Sequence, residues 1–134
     1  MDLATLLDQK LIEDGAEMVL VHPVTGDPCL GADGKPAVLI LASGDSQRFR
    51  AAADKFNNER LRLQKVGGNR WTEQEDARGL GITAACVTGM RGFEDQGEPV
   101  TFTPDNVTRL LSHRWVREQA DAFILDRRNY LPGI

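Results

Sequence analysis

The triplet Thr103-Pro104-Asp105 constrains this chain more than any other, because it fixes where a helix must begin. A Thr hydroxyl accepts a hydrogen bond from a free N–H of the first turn. Pro suits the first helical position, where its missing N–H costs nothing, and Asp suits the positive end of the helix dipole. Val107, Leu110 and Leu111 then recur on one face. Ser112 interrupts the run and is expected to cap a last helix. On that helix Val116, Ala120, Phe123 and Ile124 make an apolar line, with Trp115, Gln119, Ala122 and Asp126 beside it. Asn129-Tyr130-Leu131-Pro132-Gly133 ends it, since Pro and Gly extend a helix poorly.

The first third reads differently. Met18-Val19-Leu20-Val21, closed by His22-Pro23, predicts a strand over 17–22. Ala37 to Leu41 predicts a second strand, apolar on both faces and therefore central or covered. Pro23, Gly26, Pro28, Gly31, Gly34 and Pro36 punctuate the stretch between, and Asp33-Gly34 suits a tight turn. The two strands are expected to pair antiparallel as a wide hairpin. Ahead of them, Leu3, Leu6, Leu7 and Leu11 recur at helical spacing, predicting a short helix or a frayed arm over 2–11.

Two more helices are expected in the middle. Gly44-Asp45-Ser46 opens one, with Asp45 or Ser46 as its cap. Phe49, Ala52, Ala53, Phe56 and Leu63 form its apolar face, and it should end near Gln64. Val66 to Arg70 reads as a break. Thr72-Glu73-Gln74-Glu75 matches a capping box, and Ala77, Leu80, Ala84 and Val87 continue at helical spacing. Gly79 and Gly81 either admit close packing by another backbone or break this helix. Met90 to Thr103 reads as a short hairpin or irregular arm that turns at 95–99.

The expected fold class is α+β: a small N-terminal antiparallel β-hairpin or sheet packed with about four to five α-helices, the C-terminal half helical. A length of 134 residues suits one domain, 1–134, with residues 1–16 a loose N-terminal arm and 66–70 a flexible break. Cys29 and Cys86 are far apart and outside any metal or CxxC spacing, so they are expected as reduced thiols, in keeping with a cytoplasmic protein. The acidic N-terminus does not have the form of a signal peptide, and no apolar run nears the roughly 18 residues of a membrane span.

Catalytic patterns are missing. There is no GxSxG elbow, no Walker loop and no HExxH, and the histidines His22 and His113 stand alone. The expectation is a non-catalytic protein with no cofactor and no metal. A net charge of −4 gives no overall pull toward nucleic acid or anionic membranes. Locally, residues 1–34 are acidic, while 45–70 carry Arg48, Arg50, Lys55, Arg60, Arg62, Lys65 and Arg70 against only Asp45, Asp54 and Glu59. These segments either face each other or solvent, or offer a basic face to an acidic partner. As a nucleic-acid surface the basic helix offers no stacking platform beyond Phe49 and Phe56, which fall on its apolar face.

The order of features resembles the tail assembly chaperones of long-tailed, siphovirus-like bacteriophages. The matching elements run from His22-Pro23 with Thr25-Gly26, through Gly34 to Val38, to Asp45-Ser46 followed by Phe49-Arg50 and the basic helix. Cys86-Val87-Thr88-Gly89 and Gly97-Glu98-Pro99 follow. Phe102 to Asn106, Leu110-Leu111, Trp115 to Gln119 and Asn129 to Leu131 complete the set, which covers the chain from about residue 17 onward. The resemblance implies a non-catalytic protein of the host bacterial cytoplasm, absent from the mature virion. It would bind the tape measure protein and help recruit tail tube protein, with homo-oligomerisation left open and no nucleic acid or membrane as partner. Candidate partner-binding residues are Arg48 and Phe49 on the basic helix and Trp115, Gln119, Phe123 and Tyr130 on the terminal one. Core packing is the plain reading of Trp115, although Trp and Tyr are enriched at interfaces. The alternatives are a structural tail or connector protein and a small nucleic-acid-binding module.

Overall fold

A computed structural model describes residues 8–66 and 71–131, apart from the side chains of residue 60 and of 63–66 and 71–75. The fold is α+β. A three-stranded antiparallel sheet is formed by β1 (Ala16–Val19), β2 (Val38–Leu41) and β3 (Val87–Arg91), in the order β1-β2-β3. Five helices accompany it: α1 (Gln9–Asp14), α2 (Gln47–Val66), α3 (Trp71–Cys86), α4 (Pro104–Leu111) and α5 (Arg114–Leu125). A two-stranded hairpin, β4 (Glu94–Asp95) with β5 (Glu98–Pro99), sits between β3 and α4, and a single 3₁₀ turn at Arg127–Asn129 follows α5. Among the described residues no helix is long and apolar enough to cross a membrane.

Strand β2 is central, as its two-sided apolar pattern predicts, and Leu39 and Leu41 are wholly buried. It pairs with β1 from Ala16↔Leu41 to Val19↔Val38. On β1 the alternation is clean: Ala16 and Met18 point inward, Glu17 and Val19 outward. The pairing of β2 with β3 slips by one residue between Ile40 and Leu41, so Thr88 is left over as a bulge. Its hydroxyl reaches the carbonyls of Asp14 and Ile40. The inner face of the sheet meets Val107 and Leu111 of α4 and Val116, Ala120 and Ile124 of α5, and this cluster is the core.

β3 departs from the sequence reading. Val87 continues the helical spacing of Ala84, yet α3 stops at Cys86 and Val87 opens a strand. The cause is tertiary. Burying Val87 beside Leu41 and joining the sheet outweighs one more helical turn, and β-branched Val suits a strand. Gly79 and Gly81 do not break α3, which runs through both. α3 already includes Trp71, one residue before the expected cap at Thr72, and the Thr72–Glu75 capping box lies outside the described side chains. α2 continues to Val66, two residues past the expected end, and residues 67–70 of the break lie outside the described residues.

Two helix starts show how distant residues fix the helices. At α2, Ser46 Oγ accepts from Phe49 N at 3.2 Å, while the carboxylate of Glu13 accepts from Gln47 N at 3.0 and 3.1 Å. Asp45 instead receives Arg127 in a two-pronged ion pair, at 2.8 and 3.1 Å. The guanidinium holds the Asp45 carboxyl below its usual range. At α4, Thr103 Oγ1 accepts from Asn106 N at 3.2 Å, with Pro104 at the first helical position, as expected. Ser112 does not cap α5. Its hydroxyl turns back to the Arg109 carbonyl at 2.6 Å, and His113 occupies the cap position without a side-chain hydrogen bond.

Residues 1–7 of the segment read as an arm lie outside the described residues. The rest is docked: Ile12 is buried with Ala16 against Tyr130, and Asp8 accepts from Leu11 N at 3.1 Å to cap α1.

Candidate functional site

A feature of candidate functional interest is an open groove of about 580 Å³ bounded by α2 on one side and the start of α4 on the other. Its floor comes from Gly81, Ala84 and Ala85 of α3 and from Val87 at the head of β3. At Gly81 α2 crosses α3 closely. A Cβ built on Gly81 would lie only 2.3 Å from Phe56 Cζ, so the ring of α2 rests end-on against bare backbone. The α4 wall is Phe102, Pro104, Val107 and Thr108, and Phe102 is 48% exposed.

The α2 wall carries the charge. Ala51 and Ala52 lie between Arg48 and Lys55 along it. Both cations are exposed, and among the described residues neither has a carboxylate partner. The Lys55 ammonium lies 5.7 Å from the centroid of the Phe56 ring. α2 itself is held by a narrow stripe: Ala52 is buried and Phe49, Ala53 and Phe56 are half-buried, while the remaining described positions from Gln47 to Arg62 face solvent.

The six residues singled out from sequence do not share one surface. Arg48 stands on the groove. Phe49, on the same helix, is half-buried against the main core, as is Trp115 on α5. Gln119 is bound by its whole amide to one backbone residue: Oε1 accepts from Val21 N at 3.1 Å and Nε2 donates to Val21 O at 2.8 Å. It thus completes both hydrogen bonds of Val21 as a neighbouring strand would. Phe123 and Tyr130 are brought together edge-to-face, with centroids 5.7 Å apart and planes at 76°. Tyr130 is 1% exposed, its hydroxyl donates to the Leu41 carbonyl at 2.9 Å, and burial pushes its pKa up. In this state of the molecule Tyr130 is a core residue.

Ala51, Ala85 and Thr108 are groove residues that sequence reasoning passed over, and it met Lys55 only as one of the bases of 45–70. One signal marked the cationic side of the groove. Arg48, Lys55 and Arg62 are spaced by seven, which puts them on one side of a helix.

Chemically the groove offers apolar area and two cations. Cys86, next to its floor in α3, is buried, and that burial pushes its thiol up to about 12, the reverse of what a nucleophile needs. Thr83 Oγ1 is held between the Asp121 carboxylate and the Gly79 carbonyl. Among the described residues no group of three or more His, Cys, Asp or Glu is placed to hold a metal ion. In comparisons with protein families, characterised proteins and solved structures, the chain matches none.

Proposed function

We propose that this chain is a tail assembly chaperone of a long-tailed bacteriophage. In this reading it holds the tape measure protein in the host cytoplasm, helps tail tube subunits gather around it, and leaves before the particle is complete. It acts by binding, without catalysis or cofactor. The ordered set of residues from His22-Pro23 to Asn129-Tyr130-Leu131 suggests the family. The observation that carries the reading physically is the open groove between α2 and α4, with its floor of Gly81, Ala84, Ala85 and Val87.

A tape measure protein is long and largely helical, and its apolar stripes stay exposed until the tube encloses them. A groove walled by two helices and floored by small side chains accepts such a stripe as a third helix. Each contact need only be modest, because many chaperone copies act along one client. Release as the tube grows then requires no energy source, only competition by the tube lining.

The test is genetic and compositional. Deleting the gene from its phage should abolish tails while heads still form. The protein should co-purify with the tape measure protein from infected cells and be missing from purified particles. Normal tail formation in the deletion would refute the proposal.

A further inference from the structure

The groove also has a polarity of charge, and this defines its occupant. Arg48, Lys55 and Arg62 of α2 recur every seven residues. Seven residues turn a helix by about 20° short of two full turns, so the three cations form a nearly straight row with about 10 Å between neighbours. Arg48 and Lys55 line the groove, and Arg62 continues the row beyond it. The two acids within this stretch, Asp54 and Glu59, are not among the groove-lining residues. The opposite wall, Phe102 to Thr108, contributes no charged side chain to the lining.

A helix lying along α2 in near-parallel packing keeps a seven-residue register with it. One flank of that guest would face the cationic row at every heptad, its underside would face Ala84, Ala85 and Val87, and its far flank would face Phe102. We infer that the groove takes an amphipathic α-helix of a partner polypeptide that carries carboxylates at seven-residue spacing along the flank facing α2. Its apolar face would be of Leu-sized residues, filling the room that Ala84 and Ala85 leave. This inference rests on the chaperone reading for the identity of the partner and deepens it by defining which client segments are held.

The charges set specificity and the apolar face sets affinity. Exposed ion pairs are individually weak, so two to three of them should separate an acidic guest from its basic isomer by about tenfold. The preference should shrink as salt shortens the screening length.

The experiment uses fluorescein-labelled 21-residue helical peptides of identical apolar face, with Glu or Lys at the flanking heptad positions, read by anisotropy against the whole chain. The Glu peptide should bind about tenfold tighter than the Lys peptide at 50 mM salt, and the gap should narrow at 500 mM. The double substitution Arg48→Glu/Lys55→Glu should reverse the preference. Ala51→Trp, at an exposed position on the groove, should abolish binding of both. Circular dichroism confirms that the variants fold.

Equal binding of both peptides, no binding of either, or a preference that survives the charge reversal would each overturn the inference. So would tighter binding of a single-stranded oligonucleotide at Arg48 and Lys55. A dimer of the unaltered chain that Ala51→Trp disrupts would assign the groove to a second copy and overturn it as well. If the peptides fail while the tape measure protein still co-purifies, the chaperone reading stands and only the groove's role falls. If the Glu peptide binds as expected while the gene deletion still makes normal tails, the groove's preference stands and the chaperone reading falls.

Discussion

Gly79 and Gly81 lie two residues apart in the same helix and should respond differently to alanine. Replacing a helical Gly by Ala gains about 1 kcal/mol, because the unfolded chain has less freedom to lose. At Gly79 a new Cβ meets nothing within 4 Å, so Gly79→Ala should deliver that gain. At Gly81 the same Cβ would come within 2.3 Å of Phe56 Cζ, 2.8 Å of Cε2 and 3.2 Å of Cε1. Carbon atoms rest at about 3.5–4.0 Å, so the ring must retreat by more than about 1 Å. Such overpacking typically costs about 1–3 kcal/mol, which cancels or exceeds the helical gain. The two variants should therefore differ by about 1–3 kcal/mol, with Gly81→Ala the less stable. Urea unfolding at 25 °C reads this directly, provided the slope is unchanged. In a Phe56→Leu background the end of the ring is gone, and Gly81→Ala should recover most of the gain seen at Gly79. If Gly81→Ala stabilises the unaltered protein as much as Gly79→Ala does, the close crossing of α2 over α3 is refuted, and with it the reason for the groove's shallow floor.

Three further outcomes are expected. Tyr130→Phe removes the donor to the Leu41 carbonyl and should cost about 1–2 kcal/mol, while Tyr130→Ala should cost about 3–5 kcal/mol, both measured by denaturant unfolding. Thr103→Ala removes the cap of α4 and should cost about 1 kcal/mol, with Thr103→Ser restoring most of it. In the native protein a disulfide reagent should modify the half-buried Cys29, and Cys86 only on unfolding. The Cys86 thiol ordinarily titrates near 9.0 and is pushed up to about 12 in the fold, so the folded state keeps a proton that the unfolded state loses in between. Its contribution is therefore fully present below about pH 9 and is lost as pH rises toward 12. Cys86→Ala should flatten that part of a stability–pH curve.

The parts of the fold that were legible in sequence are those decided within one turn of chain. Thr103-Pro104-Asp105 carries its helix start in its own chemistry, and the two-sided apolar run at Ala37 to Leu41 marks a strand with neighbours on both sides. Val87 was not legible, because nothing between Cys86 and Val87 signals a turn. The switch from helix to strand is set by β2, more than 40 residues earlier in the chain. Asp45 fits a cap as well as Ser46 does, and only the arrival of Arg127 and Glu13 decides between them. The groove is the least legible feature. Its walls are three stretches far apart in sequence, and Ala51, Ala85 and Phe102 carry no local mark that they belong together.

The amide clamp of Gln119 on Val21 has a consequence for how the protein is made. Val21 waits for Gln119, 98 residues later; Leu41 for Tyr130, 89 later; and Asp45 for Arg127, 82 later. A ribosome delivers the chain from the N-terminus, so strands β1 and β2 emerge long before any of these partners exist. The first hairpin must stay unsealed until residues 119–130 have been made, and closure of the fold waits for them. A chain cut after Ser112 has β3 and α4 but none of the three fastenings, and it should be cleaved rapidly by protease where the whole protein resists.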